Sequence, residues 1–361
     1  MQAQSHPRPL RWLAWCLALG LGGCHSIPIH GVLHTDSSVS GGIQAQVDLR
    51  MPQTHDAGPL EARIVRAAQA GPGSARVAIV DVDGLLLNQN PTGLYSAGEN
   101  PVSIFREKLE AAAADGAVRA VILRIHSPGG GVTASDILAE ELRRFRTCTR
   151  KPVVACLMDL ATGGAYYLAV GCDRIISHPT TITGGIGAVA NFYNLLDAMS
   201  AMSVKVESIK AGDLVDMGTL LTPLPDEARI LLQQMADGFR DRFRDRVVSN
   251  RPQLTAQDRK TVSDGRVVAG PQALALHLVD RLGYLDDAIA EAEGLAGLSG
   301  AEVVLYQRRG YPARSIYDVT PNVPLQGELV PVSYPGLDRT KLPTFLYLWQ
   351  PDPTVTKLGG R

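Results

Sequence analysis

A chain of 361 residues, 45% of them hydrophobic, can bury a substantial core and has room for one large domain or two. Its net charge of -1 gives no electrostatic footprint for nucleic acid or another polyanion. Five irregularly spaced cysteines form neither a disulfide framework nor a CxxC or His/Cys ligand set, so neither metal nor cofactor is expected.

At the N-terminus, Arg8 and Arg11 precede WLAWCLALGLGG (12–23), an apolar run short for a membrane span and of the length of a signal h-region. It ends in Leu21-Gly22-Gly23-Cys24, which resembles a bacterial lipoprotein processing site. The resemblance implies a signal peptide over 1–23, lipidation of Cys24 and a periplasm-facing anchor in the cell envelope. An ordinary secretory signal is the alternative. His25 in place of an aspartate after the cysteine points, by the same resemblance, to the outer membrane. Residues 24–75, rich in Gly, His, Ser and Pro, read as a tether closed by Gly71-Pro72-Gly73-Ser74.

Regular structure then begins. ARVAIVDVDGLLL (75–87) predicts a buried strand ending near Gly84. VSIFREKLEAAAADG (102–116) predicts a helix with Ile104, Phe105, Leu109 and Ala112 inward and Gly116 at its stop. VRAVILRI (118–125) is a second strand, broken by Ser127-Pro128-Gly129-Gly130-Gly131. A helix follows from about Thr133, with Ile137, Leu138, Leu142 and Phe145 inward. PVVACLM (152–158), RIIS (174–177) and VKVESI (204–209) read as further strands, with a short helix in GGAYYLAVGCD between the first two. From Pro225 the pattern is helical for about two dozen residues, with Leu231, Met235, Phe239, Phe243 and Val247 recurring every four positions. After the turn DGRVVAG (264–270), a helix pair runs to about Leu298. Residues 298–361 form a Pro-rich tail that holds the apolar cluster PTFLYLWQP. Strands alternating with helices indicate an α/β layered fold with a largely parallel sheet.

Two glycine clusters carry the candidate chemistry. Glycines after a strand let the backbone approach a ligand and present N–H groups to an anion, so Gly129 or Gly130 can donate to an oxyanion. Gly164 supplies a second donor where Gly163-Gly164 opens a helix, because the first amides of a helix are unpaired.

The order of RIHSPGGGVTAS (124–135), PVVACLMD, GGAYYLAVGCDRII (163–176), TGGIGA (183–188), IKAGD (209–213) and DGRVVAGPQALALHLVD (264–280) resembles the signal peptide peptidase A (SppA) family of serine peptidases. The resemblance covers residues 76–297. It implies a crotonase/Clp-protease-like single domain, a Ser–Lys dyad cleaving peptides in the envelope, and a ring-like homo-oligomer. The family pattern Asp-x-Ala-Ala-Ser-Gly-Gly-Tyr-Tyr, laid without gaps on Asp159–Tyr167, places Gly163 where the nucleophile belongs. The base lysine belongs in the loop after Ile-Lys-x-Gly, at Val215. Both halves of the dyad are therefore substituted. Glycine offers no attacking atom and valine accepts no proton. In another serine peptidase, loss of one such group costs about 10⁶ in turnover.

The expectation is a lipid-anchored SppA-like protein without peptidase activity that binds peptides or partner subunits. Two alternatives stand beside it. One is an active peptidase using Thr162 as nucleophile, with Lys210 as base if its loop is rerouted. The other is a crotonase-type acyl-CoA enzyme, which an export signal argues against. Ser127 reads as a turn cap before Pro128, and His126 and His178 as strand-end histidines.

Overall fold

The structure, a computed structural model, describes residues 58–69, 75–90, 99–308, 313–318 and 345–349. The signal segment, Cys24 and most of the tether lie outside these residues. The strands are β1 (Leu60–Arg66), β2 (Arg76–Asp83), β3 (Val118–Ser127), β4 (Gly129–Gly131), β5 (Val153–Thr162), β6 (Arg174–Ser177), β7 (Ile182–Gly184), β8 (Val267–Ala269), β9 (Arg281–Leu282), β10 (Glu302–Arg308) and β11 (Leu346–Leu348). The helices are α1 (Pro101–Ala114), α2 (Val132–Thr149), α3 (Gly164–Ala169), α4 (Leu196–Ala201), α5 (Asp226–Asn250), α6 (Ala256–Val262), α7 (Gly270–Ala275) and α8 (Leu285–Leu295).

The main sheet runs in the order β1-β10-β2-β3-β5-β6-β9, with β7 beside β5 and β8 beside β7. Neighbours from β10 to β9 are parallel, and β1 and β8 are antiparallel additions. This is the α/β architecture with a largely parallel sheet that the sequence predicts. Side chains alternate between two apolar layers. Val80, Leu123 and Ala155 face α1, α2, α3 and α5, whereas Ile79, Ile122 and Cys156 face α8. Burial on both faces is why these strands read as unbroken hydrophobic runs.

Local signals set the helix that follows β2. Asn100 caps α1 by accepting from the Val102 amide at 2.9 Å, and Pro101 occupies the first turn, where its missing N–H costs nothing. Asp173 pins the start of β5, accepting from Val153 N at 2.8 Å, and is paired with Arg146 of α2.

Three sequence expectations change. Residues 60–66, assigned to the tether, form a strand antiparallel to β10, so the ordered sheet starts before residue 76. Residues 302–308 and 346–348, assigned to the tail, are strands as well. Residues 204–209 are not a strand: among the described residues no strand pairs with them, and Ile209 is 100% exposed. Their apolar–charged alternation matches a half-buried strand, but alternation without a partner leaves the backbone to water. The predicted long helix is present as α5. Ala228, Leu232, Phe243 and Val247 are buried while Met235 is exposed, so the stripe that meets the core departs from the predicted one in the N-terminal half.

Candidate active site

The two glycine clusters meet at the C-terminal ends of β3 and β5. Ser127 ends β3, and its hydroxyl donates to Gly84 O at 2.6 Å while accepting from Gly129 N at 3.1 Å. That is the turn-capping role its sequence position predicts. Gly129 N is thereby occupied, which leaves Gly130 as the outward-facing amide of β4. Leu86 sits on the other side of β4, exchanging bonds with Gly129 O and Gly131 N at 2.9 Å each.

What faces Gly130 is β11. Residues 346–348 run antiparallel to β4, with Tyr347 opposite Gly130. Flanking bonds from Val132 N to Phe345 O (3.3 Å) and from Trp349 N to Pro128 O (3.1 Å) lie two residues to either side. Antiparallel pairs alternate between bonded and non-bonded, so Tyr347 and Gly130 form a bonded pair. On its far edge Leu346 exchanges two 3.0 Å bonds with Val189. The segment 345–349 is thus held in extended form between two backbones.

Gly163 lies directly beneath this segment. Its φ is +53° and ψ is -123°, a conformation that L side chains rarely adopt. A Cβ built there would stand 2.3 Å from the Tyr347 oxygen and 2.6 Å from its carbonyl carbon. A Cβ at Gly129 would meet the same oxygen at 2.0 Å and Gly164 N at 2.8 Å. The glycines therefore do two jobs, turning the chain and admitting a peptide carbonyl to the place where a side chain would otherwise be.

Tyr347 is fully buried. Its ring packs on Tyr167 (centroids 5.3 Å apart) and Phe243 (4.9 Å), and its hydroxyl donates to Phe239 O at 2.6 Å. Phe345 meets Phe239 edge-on at 5.1 Å. Tyr167 is itself fixed by its hydroxyl bond to Asp136 (2.7 Å) and by Arg246, whose guanidinium sits 4.8 Å above the ring. Tyr166 donates to Leu278 O at 2.7 Å from full burial.

Three hydroxyls surround the turn, and each donates to a backbone carbonyl. Ser127 donates to Gly84, Thr162 to Pro128 at 3.1 Å, and Ser135, which the sequence reading passed over, to Gly131 at 2.9 Å. None of these bonds leads to a base. Val215 is 69% exposed and is not among the atoms nearest Gly163. Lys210 donates within its own loop, to Asp216 at 2.8 Å and Asp213 O at 3.1 Å. The structure brings Gly129, Gly130, Gly163, Gly164 and Thr162 together and leaves Val215 and Lys210 in a separate loop.

The histidines lie elsewhere. His126 pairs across the sheet with Asp83, and the period of two turns it from the Tyr347 side toward the α8 layer. His178 packs against Tyr284 at 5.2 Å; burial pushes its imidazole pKa down, against the pull of the Asp159 charge. Burial pushes the Cys156 and Cys172 thiols up to about 12, so neither offers a substitute nucleophile. Among the described residues, no group of three His, Cys, Asp or Glu side chains could hold a metal ion.

This arrangement can hold an extended peptide and hydrogen-bond its carbonyl. At position 163 it has no side chain, and the three hydroxyls around the turn each donate to a backbone carbonyl. The sequence reading missed the occupant, although Phe345, Tyr347 and Trp349 alternate between Pro343 and Pro351, a strand pattern bounded by breakers.

Residues 146–299 match the sequence profile of peptidase family S49. A protein of Enterococcus faecium assigned as a signal peptide peptidase SppA is 27% identical over 239 residues, covering 66% of this chain and 69% of that one. Protease 4 of Salmonella typhi is 28% identical over 280 residues, covering 78% and 42%; this chain thus spans less than half of that relative. Serine protease SPPA, chloroplastic, of Arabidopsis thaliana is 30% identical over 235 residues, covering 65% and 33%. Among solved structures, a serine-to-alanine mutant of the 1510-N membrane-bound stomatin-specific protease covers 64% of this chain and 98% of its own, with a TM-score of 0.41 and 13% identity.

Proposed function

We propose that this chain, a member of the SppA (S49) family of peptidases, is a non-hydrolytic protein of the bacterial envelope that works by holding partner subunits. The observation that carries the reading is Gly163 at the tip of the β5–α3 turn, with the Tyr347 carbonyl where a serine side chain would stand. A serine peptidase needs a hydroxyl and a base within hydrogen-bond reach. Here every nearby hydroxyl donates to a carbonyl, and Lys210 is bound to Asp216 in an exposed loop. The Thr162 alternative lacks support for the same reason, because its hydroxyl is buried and committed to Pro128 O.

Anchoring is proposed through lipid on Cys24, in the outer membrane. Among the described residues, no helix is long and apolar enough to cross a membrane. Self-association is proposed through the stretch 190–224, where Met202, Val204, Val206, Ile209 and Val215 face water in the single chain. Apolar side chains gathered on one arm are the usual mark of a subunit contact.

The test is labelling of the purified protein with a fluorophosphonate probe, alongside hydrolysis of apolar peptides. We expect neither. Stoichiometric labelling, or cleavage abolished by Thr162→Ala, would reverse the reading. Mass spectrometry of the mature protein should show a diacylglyceryl Cys24, and unmodified Cys24 would remove the anchor.

A further inference from the structure

We propose that the peptide groove of this protein is permanently loaded with residues 345–349 of its own chain, and that glycine at 163 is a consequence of this occupancy. The inference rests on the non-hydrolytic reading and names the ligand of the same site. Three independent features agree. The segment is bonded on both edges, to β4 on one side and Val189 on the other, as a bound peptide would be. Its alternating aromatics are read by fixed partners: Phe345 by Phe239, and Tyr347 by Tyr167, Phe243 and the Phe239 carbonyl. Its register sets the Tyr347–Leu348 bond over the turn, with the Tyr347 carbonyl bonded to Gly130 and its carbon 2.6 Å from where a Cβ of residue 163 would be.

That register is the one a substrate would need, with the reacting carbonyl over the nucleophile position and in reach of a backbone donor. A side chain at 163 would expel the strand, whereas glycine lets it seat without attack. Loss of the nucleophile and retention of the groove are then one adaptation. An extended peptide added to an exposed backbone edge draws affinity from main-chain bonds and selectivity from alternate side-chain pockets. The groove would therefore accept apolar segments with aromatics at every second position, once its own is removed.

The experiment is hydrogen exchange of the full chain, read by mass spectrometry, with binding of a fluorescent peptide corresponding to residues 343–350. In the unmodified protein, 345–349 should exchange slowly and the peptide should not bind. Gly163→Ala should unseat the strand by contact, and Leu346→Pro by removing the donor to Val189. Both should raise exchange at 345–349 by roughly tenfold or more, but only Leu346→Pro, which keeps glycine at 163, should admit the peptide, and Gly238→Ala, which meets nothing within 4 Å, should do neither. If the two variants fail to fold, exchange in the unmodified protein decides. Exchange of 345–349 at the rate of an unstructured chain, or peptide binding to the unmodified protein at micromolar concentration, would overturn the inference. The two readings fail separately. Fluorophosphonate labelling with slow exchange defeats only the non-hydrolytic reading, and fast exchange without labelling defeats only the loaded groove.

Discussion

The turn at Gly163 and the loop at Val215, where the family resemblance sets the two halves of a dyad, lie in regions built on different terms. Around Gly163 each backbone is pinned by sheet ladders, and Tyr166, Tyr167 and Tyr347 are almost wholly buried. From Asn194 to Thr222 the bonds join the segment to itself, such as Leu195 N to Leu220 O at 2.7 Å, and Met202 is 76% exposed. The glycine turn inherits its geometry from the core of the domain, so it persists whether or not chemistry is done there. The arm has no such support within one chain, and a lysine at 215 would be held only by what packs on the arm.

The sharpest way to break this contrast is truncation on each side of it. Tyr347→Ala removes a buried aromatic with two ring contacts and a hydroxyl bond, and should cost about 3–5 kcal/mol, lowering the thermal midpoint by several degrees. Val204→Ala in the arm should stay within about 0.5 kcal/mol. Equal losses in chemical denaturation would mean that β11 is not part of the core.

Glycine replacement sharpens the same point at fixed chemistry. Gly163 and Gly212 both have positive φ, +53° and +110°, so alanine strains either by about 1–3 kcal/mol. Only at Gly163 does the new Cβ meet a backbone carbonyl, at 2.3 Å; at Gly212 the nearest atom is Val215 Cβ at 3.9 Å. Overpacking adds roughly 1–3 kcal/mol, so Gly163→Ala should cost about twice as much as Gly212→Ala. Matching midpoints in urea for the two variants would deny the close approach.

The sheet was legible in the sequence wherever burial is two-sided. Runs such as 77–82, 118–125 and 153–158 have one reading, because each residue faces one apolar layer or the other. The glycine turns were legible through spacing, since Asp159, Tyr166-Tyr167 and Asp173 stand in fixed register around Gly163. Strand β10 was missed because it follows α8 after a short turn and was absorbed into the Pro-rich tail that begins at 298. The occupant of the groove was not found for a deeper reason. Local pattern marks 345–349 as strand-like, but its partner lies more than 200 residues away, and no periodicity encodes which edge a strand will join. At 204–209 the opposite error arose, where pattern without a partner gave no strand.

Self-association tests what the arm is for. Ile209→Asp places a charge on a side chain that is 100% exposed in the single chain, so the fold should be unchanged within about 0.5 kcal/mol. Sedimentation should nonetheless shift from a species several times the monomer mass toward monomer. An oligomer that survives this substitution would move the subunit contact to another face, and a clean monomer before it would end the proposal.

The smallest effect concerns the ion pair that holds the arm's loop. The hydrogen bond from Lys210 holds the Asp216 carboxyl below the usual carboxylate range. Because the folded-state pKa is the lower one, the pair's contribution is fully present above the unfolded value of about 3.9 and is lost as pH falls through the folded value. Asp216→Asn should therefore lower the thermal midpoint slightly at neutral pH, and the two proteins should converge in acid. Exposed pairs are weak and screened, so about 1 M salt should erase the difference at every pH. The comparison is best made in the Ile209→Asp background, where the arm has no neighbour to shield the pair. A difference there that withstands salt would mean that the Lys210–Asp216 loop is packed against its own domain. The base half of the dyad would then be supported after all, and the contrast between the two regions would fail at its weaker end.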